Sequence, residues 1–476
     1  MLNEMMRSWR FAAKCLGAFS LVFATSVSAQ SDASIPHITG WIETDPATGY
    51  LAGDICIAAT PSALGGSILL HRGLNVRGVR NAVTGAPLSF DGYYDARNIG
   101  DATPYEVAQG AADQGVCVSY VGAFPVVHVD AGERTTDDWK GNIAFDGKTV
   151  RAAEQTRFYP TLRDAAGVEH QQVTYDVEVR CTGCKTIFWN GSAPVAGDRA
   201  RFTSDRPRLL MLYAGDLPFS TIDGVHFVGA EVSADAAAFV GTSFAAIARI
   251  HEDYLGVAME DHPSLLSFAA LGGRASRKLG VNTWGFATWP TIASDGRLPF
   301  DKLVPRGPDG SLAAGSQRYF AHEMAHHYFG VRYAPRGPLR WFMLESTAEY
   351  LAARAIRTLR GEAAYQGLLA GYVRNSPTAV IPLDQVTDVG QIDGDYRYAL
   401  GPLLLAALER RIGEEPLRRA LTSFITNPPS QEVDYSYLRA RLIAAGATEA
   451  SLAVFEKACL KPTLDDACKA EAGIGS

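Results

Sequence analysis

The stretch Ala321–Gly330 reads AHEMAHHYFG and holds three of the chain's ten histidines. His322-Glu323-Met324-Ala325-His326 is an H-E-x-x-H motif. On a helix, residues i and i+4 share a face, so these two imidazoles can grip one metal ion. Glu323, about 100° around the helix from His322, can reach a water on that metal. A zinc hydrolase needs three protein ligands and leaves a fourth position for water. Glu345, with eighteen residues between it and His326, is the expected third ligand. It lies in the next predicted helix, after a loop with Pro335, Gly337 and Pro338 that lets the two helices fold back on each other. Tyr319, Phe320, Tyr328 and Phe329 flank the motif, which predicts a half-buried helix. Buried charges without partners are costly, and one Zn²⁺ ion would satisfy them. His327 lies off the two-histidine face and is expected to pack or to support a ligand from behind. Glu349, one turn after Glu345, either orients a ligand histidine or is an exposed helix charge.

The elements that must position these residues are legible in outline. Residues from about 36 to 212 read as β-rich. Val173–Val179 alternates apolar and polar residues, Asn190-Gly191 is a turn signal, and Arg206–Gly215 reads as a further strand. Ser233–Gly256 is Ala-rich, with a Ser cap candidate and a terminal Gly, and predicts the first long helix. Val281–Ala293 has the β-branched and aromatic content of a strand. Ser316 and Gly330 are the candidate ends of the histidine helix. Pro338–Gly361, Arg397–Gly413 and Pro416–Ile425 predict helices.

These motifs resemble the M1 family of zinc metallopeptidases, the gluzincins that include aminopeptidase N and leukotriene A4 hydrolase. AHEMAHHYFG is similar to the family's A-H-E-[LM]-A-H-x-[WY]-F-G run, and Phe342–Ala348 to its W-L-N-E-G-x-A segment. In the latter the glutamate and alanine match, while Leu344 and Ser346 replace Asn and Gly. The family's Y-E-K-G motif is matched by Tyr398 and Gly401, with Leu400 in place of Lys. The resemblance implies that Tyr398 assists catalysis; Tyr396 is the nearby alternative. It further implies a multidomain α+β chain. An N-terminal saddle-like β-domain (30–212) would precede a thermolysin-like catalytic domain (213–375) and a helical part (376–476) that carries the tyrosine. The family's G-x-M-E-N strand, whose glutamate holds the substrate N-terminus, corresponds best to Gly285, Phe286, Ala287 and Thr288, where no carboxylate is present. The implied activity is hydrolysis of a peptide or small protein. An endopeptidase, a hydrolase of another substrate, and a non-catalytic scaffold are the alternatives.

Composition narrows the setting. Arg7, Arg10 and Lys14 precede the apolar run Cys15–Val27 and the small residues Ser28-Ala29. This predicts a signal peptide over 1–29, cut after Ala29, and a periplasmic or secreted product with no membrane span. The formal net charge is −7, and an acidic chain argues against nucleic acid as partner. Six cysteines remain beyond Cys15, an even count that suggests disulfides in an exported chain. Proximity favours Cys56–Cys117, Cys181–Cys184 and Cys459–Cys468.

Overall fold

The computed structural model describes residues 35–59, 66–92, 102–107, 114–126, 143–164, 167–268, 284–295 and 299–474. The expected signal peptide and its cleavage point lie outside these residues. No helix among the described residues is long and apolar enough to cross a membrane.

The described residues between His37 and Gly215 build three sheets. The largest has seven strands in the order Arg199–Arg208, Val173–Cys181, His37–Asp45, Tyr50–Ile57, Val116–Ala123, Leu74–Asn81 and Pro87–Leu88. Only the pair His37–Asp45 and Val173–Cys181 in it is parallel. Alternation along Val173–Cys181 sends Val173, Tyr175, Val177 and Val179 into a core with Ile42, Ile55, Val118, Trp189 and Phe202. The three expected disulfides are all present. Cys56 and Cys117 face each other in register on neighbouring antiparallel strands, which brings their sulfurs together.

Two predicted strands differ from expectation. Arg206–Gly215 is the end of one strand and the whole of another, Met211–Gly215, because the chain changes sheets at Leu209-Leu210. Continuous apolar character hides that change. Val281–Ala293 likewise holds a hairpin, Trp284–Thr288 and Thr291–Asp295, turned at Trp289-Pro290; 281–283 lie outside the described residues. This hairpin forms one edge of a mixed five-stranded sheet, with Trp284–Thr288 outermost.

Helix Ala234–Leu255 starts where expected. Ser233 accepts a hydrogen bond from the Ala236 amide, and Gly256 ends the helix at φ +66°. Its Val240, Phe244 and Ile247 pack with Phe320, Ala321 and Met324 of the histidine helix and with Phe227, Leu265 and Ile292 of the sheet. A third core joins Tyr328, Phe329 and Leu351 to the C-terminal helices through Leu403, Leu404, Leu417 and Phe424. The molecule is α+β, with β-rich layers first and helices last.

His251 shows how tightly the first helix is docked. It is 1% exposed, and its Nε2 donates to the Ala321 carbonyl, 2.9 Å away. Burial lowers its pKa to about 4. A histidine whose folded pKa lies below its unfolded value of about 6.5 favours folding above that pH. That contribution is lost as pH falls from 6.5 toward 4. We expect a loss of about 2–3 kcal/mol between pH 7.5 and 4.5 from this residue. Urea unfolding of the native chain and of His251→Gln, which keeps a donor for Ala321, should show a shallower pH slope for the variant. Equal slopes would remove His251 from the acid response.

Candidate metal centre

The histidine helix runs Ala314–Ala325. Its N-cap is Ala313, with no side-chain cap, so the expected Ser316 cap is not used; Ser316 sits inside the first turn. His326 is the C-cap residue but keeps right-handed helical angles (φ −65°, ψ −15°), so it still sits one turn beyond His322. Glu345 comes from a π-helical turn, Phe342–Ser346, that leads into helix Thr347–Arg360. Tyr398 comes from a second π-helical turn, Tyr396–Leu400, ahead of helix Gly401–Ile412. Such turns are rare and recur at functional sites. The two are pressed together: a Cβ on Gly401 would stand 2.0 Å from Ser346 Oγ. Gly401 therefore permits the close approach that places Tyr398 beside Glu345.

The donor atoms converge. His322 Nε2 is 3.3 Å and His326 Nε2 3.6 Å from Glu345 Oε2. One donor atom from each residue lies within 4.8 Å of the other two. Tetrahedral zinc with bonds of roughly 2.1 Å spaces its ligand atoms by roughly 3.3 Å, so these residues fit the ion. Both outer ring nitrogens are fixed. His322 Nδ1 lies 2.9 Å from Glu349 Oε2, and His326 Nδ1 lies 3.0 Å from the Phe329 carbonyl. Each ring thereby presents Nε2 inward.

The electrostatics point the same way. Burial opposes charge on His322, but hydrogen bonds to Glu345 and Glu349 outweigh it and raise its pKa to about 10. Burial likewise opposes charge on Glu345, yet the two histidines hold it well below its ordinary value. The carboxylates gathered around the two rings make the pocket favour positive charge, which suits a cation. Glu349 is 3% exposed and is also bonded by Arg318 and Tyr372. Glu323 is half-buried, and its charge reaches His322, His326, Tyr319 and Tyr398, so it faces the same pocket. Tyr398 Oη donates to Glu345 Oε2 at 3.0 Å. Tyr396 is 2% exposed and lies in the apolar core, so it is the other tyrosine that the fold brings to the centre.

Replacing Glu349 by Gln removes the charge behind His322 and leaves Arg318 without its carboxylate. Partners of this kind typically carry about 10–100-fold in metal affinity. Competition against a chromophoric zinc chelator should show a loss of that size. An unchanged zinc affinity would mean that Glu349 only packs.

Several contributors are not among the residues that the motifs nominate. Arg318 precedes His322 by one turn, a spacing that would have flagged it; Tyr372 carries no such mark. His327 is 2% exposed and turned away from the donor cluster. Its Nδ1 accepts from the Trp289 indole at 3.2 Å and lies 3.6 Å from Asp261. Asp261 forms a buried two-pronged ion pair with Arg208 at 2.5 and 2.6 Å. Asn190 bonds the Trp289 carbonyl and Thr291, and Gln172 bonds the Gly330 and Val331 carbonyls. These bonds seat the hairpin and the turn after His326 against the β-rich part. Gly285, Phe286 and Ala287 lie on the outermost strand of the sheet. Thr288 is buried, and its hydroxyl donates to Glu154 Oε2 at 3.0 Å. Burial raises the Glu154 pKa to about 6.

This fold has solved counterparts. An M1 zinc metallopeptidase from Deinococcus radiodurans, bound to a Tyr-Ser-Ala substrate, is 16% identical, with a TM-score of 0.64 over 91% of this chain and 95% of that one. A two-domain M1 zinc metallopeptidase bound to L-arginine is 16% identical, with a TM-score of 0.62 over the same shares. Leukotriene A4 hydrolase from Saccharomyces cerevisiae is 11% identical, with a TM-score of 0.60 over 90% of this chain and 68% of that one. No family model matches the sequence, and no curated protein matches it by sequence. The chain thus has the α+β fold seen in these M1 zinc metallopeptidases and in leukotriene A4 hydrolase.

Proposed function

We propose that this chain is an exported zinc-dependent peptidase, with His322, His326 and Glu345 as metal ligands. The observation that carries the reading is the meeting of those three donors with Glu323 and Tyr398 in one pocket. Zinc held there would lower the pKa of a water from about 16 toward about 7 and polarise a carbonyl. Glu323 takes the proton of the attacking water and delivers it to the departing amine, so one carboxylate serves as base and then as acid. The Tyr398 hydroxyl donates to the carbonyl oxygen as it gains charge. Burial and the Glu345 charge keep that hydroxyl protonated far above neutral pH, so it stays a donor. Among the described residues no strand pairs with the outer edge of Trp284–Thr288, to which an extended peptide can add.

Export is supported by the basic and apolar character of 1–29 and by three disulfides. A second reading, endopeptidase, is favoured by one observation: the strand Trp284–Thr288 contains no acidic residue to hold a free amino terminus. An aminopeptidase would draw its anchor from elsewhere, and Glu154 is the acid that the fold brings to the end of this strand.

The test is a peptide library, half of it N-terminally acetylated, offered to zinc-loaded protein. Stepwise cleavage of free N-termini alone makes the chain an aminopeptidase. Internal cleavage that includes blocked peptides makes it an endopeptidase. One equivalent of bound zinc with no peptide cleaved would overturn the peptidase reading.

A further inference from the structure

Two guanidinium groups lie against one indole beside the site. The Arg397 guanidinium carbon lies 3.9 Å from the centre of the Trp341 ring, and that of Arg340 lies 4.8 Å from it. Both come from elements that build the metal centre. Arg340 and Trp341 open the helix whose π-turn carries Glu345, and Arg397 directly precedes Tyr398. The aromatic face attracts each cation, but the two cations repel each other.

Among the described residues no carboxylate stands within ion-pair distance of either. Glu169 and Glu345 are the carboxylates whose charge reaches Arg340. Glu169 gives both oxygens to Arg157, and Glu345 faces His322, His326 and Tyr398. Arg397 spends its Nε on the Ile392 carbonyl, which leaves its terminal nitrogens for another acceptor. Among the described residues neither arginine has an ion-pair partner. Elsewhere among the described residues, Arg180, Arg306, Arg318, Arg354 and Arg357 stack on aromatic rings and are ion-paired as well, whereas Arg441 stacks and bonds only neutral oxygens.

Resting on the peptidase reading, we propose that Arg340 and Arg397 form a carboxylate subsite at the rim of the cleft. It would bind either the C-terminal carboxylate of a short peptide or an acidic side chain of a longer one. Planar guanidinium groups suit that ligand because they present two parallel donors to its two oxygens.

The test uses the zinc-loaded Glu323→Gln protein, which binds without turnover, and calorimetric titration with three peptides. These are Ala-Ala-Ala as free acid, the same peptide as C-terminal amide, and Ala-Ala-Asp amide. The free acid should bind at least about tenfold more tightly than the plain amide, as a charge-assisted contact typically gives. Adding Arg340→Gln, an exposed position, should bring that ratio close to one. Ala-Ala-Asp amide binding like the free acid supports a side-chain source; binding like the plain amide supports the C-terminus. Equal binding of acid and plain amide, or a preference that survives Arg340→Gln, overturns the subsite.

The same peptides given to the unaltered enzyme separate the two readings. Equal cleavage of acid and amide overturns the subsite and leaves the peptidase standing. No cleavage, with an Arg340-dependent preference in binding, keeps the subsite and overturns the peptidase. No binding and no cleavage overturn both.

Discussion

Glu323→Gln should lower kcat by about 10²–10⁴-fold while the protein still takes up one equivalent of zinc. The size is what a positioned acid–base group contributes. Glutamine matches glutamate in shape but cannot accept and return a proton at neutral pH. Glu323 is not among the residues whose donor atoms converge on the metal position, so metal affinity should change little. Steady-state kinetics on a cleaved peptide, with zinc content from elemental analysis of the same sample, checks both halves. Retained activity would remove Glu323 as the base. Lost activity with lost zinc would mean that Glu323 supports the centre rather than the proton transfer.

The second large effect belongs to Tyr398. Tyr398→Phe should cost about 10²–10³-fold in kcat with KM nearly unchanged, since the hydroxyl acts most on the charge that develops during reaction. The ring is 43% exposed, so removing one oxygen disturbs no core packing. The folded state should therefore be unaffected, and a thermal melt provides the control. A rise in KM alone would assign the hydroxyl to ground-state binding. Tyr396→Phe is the matched comparison, because its hydroxyl lies in the apolar core with no hydrogen-bond partner. Little effect on kcat is expected from it.

The legible parts of the chain were those with local causes. His322 and His326 are one turn apart on any helix, and Ser233 and Gly256 bound their helix through contacts within a few residues. The break at Leu209-Leu210 was hidden because both sheets accept apolar residues there. The hairpin in Val281–Ala293 was hidden because β-branched and aromatic residues suit one strand or two. The Ser316 cap failed because the helix begins earlier: the Ala313 carbonyl accepts the first helical bond, from the Gln317 amide, which leaves Ser316 inside the first turn.

Residue types and spacing were enough to nominate a metal motif, its base and a distant carboxylate, while the tyrosine came from the resemblance to the M1 family. They also favoured the three cysteine pairs that form, although Cys56 and Cys117, 61 residues apart, meet only through the register of their strands. Distances between segments were decided only in three dimensions. Glu345 reaches the histidines because two helices fold back across a loop, and Tyr398 reaches Glu345 because Gly401 lets two π-turns touch. The charge behind His322, the ion pair of Arg208 with Asp261, and the Arg340–Trp341–Arg397 stack join residues far apart in the chain. Such contacts depend on packing and on the cost of leaving a buried charge alone, and neither has a local pattern in sequence.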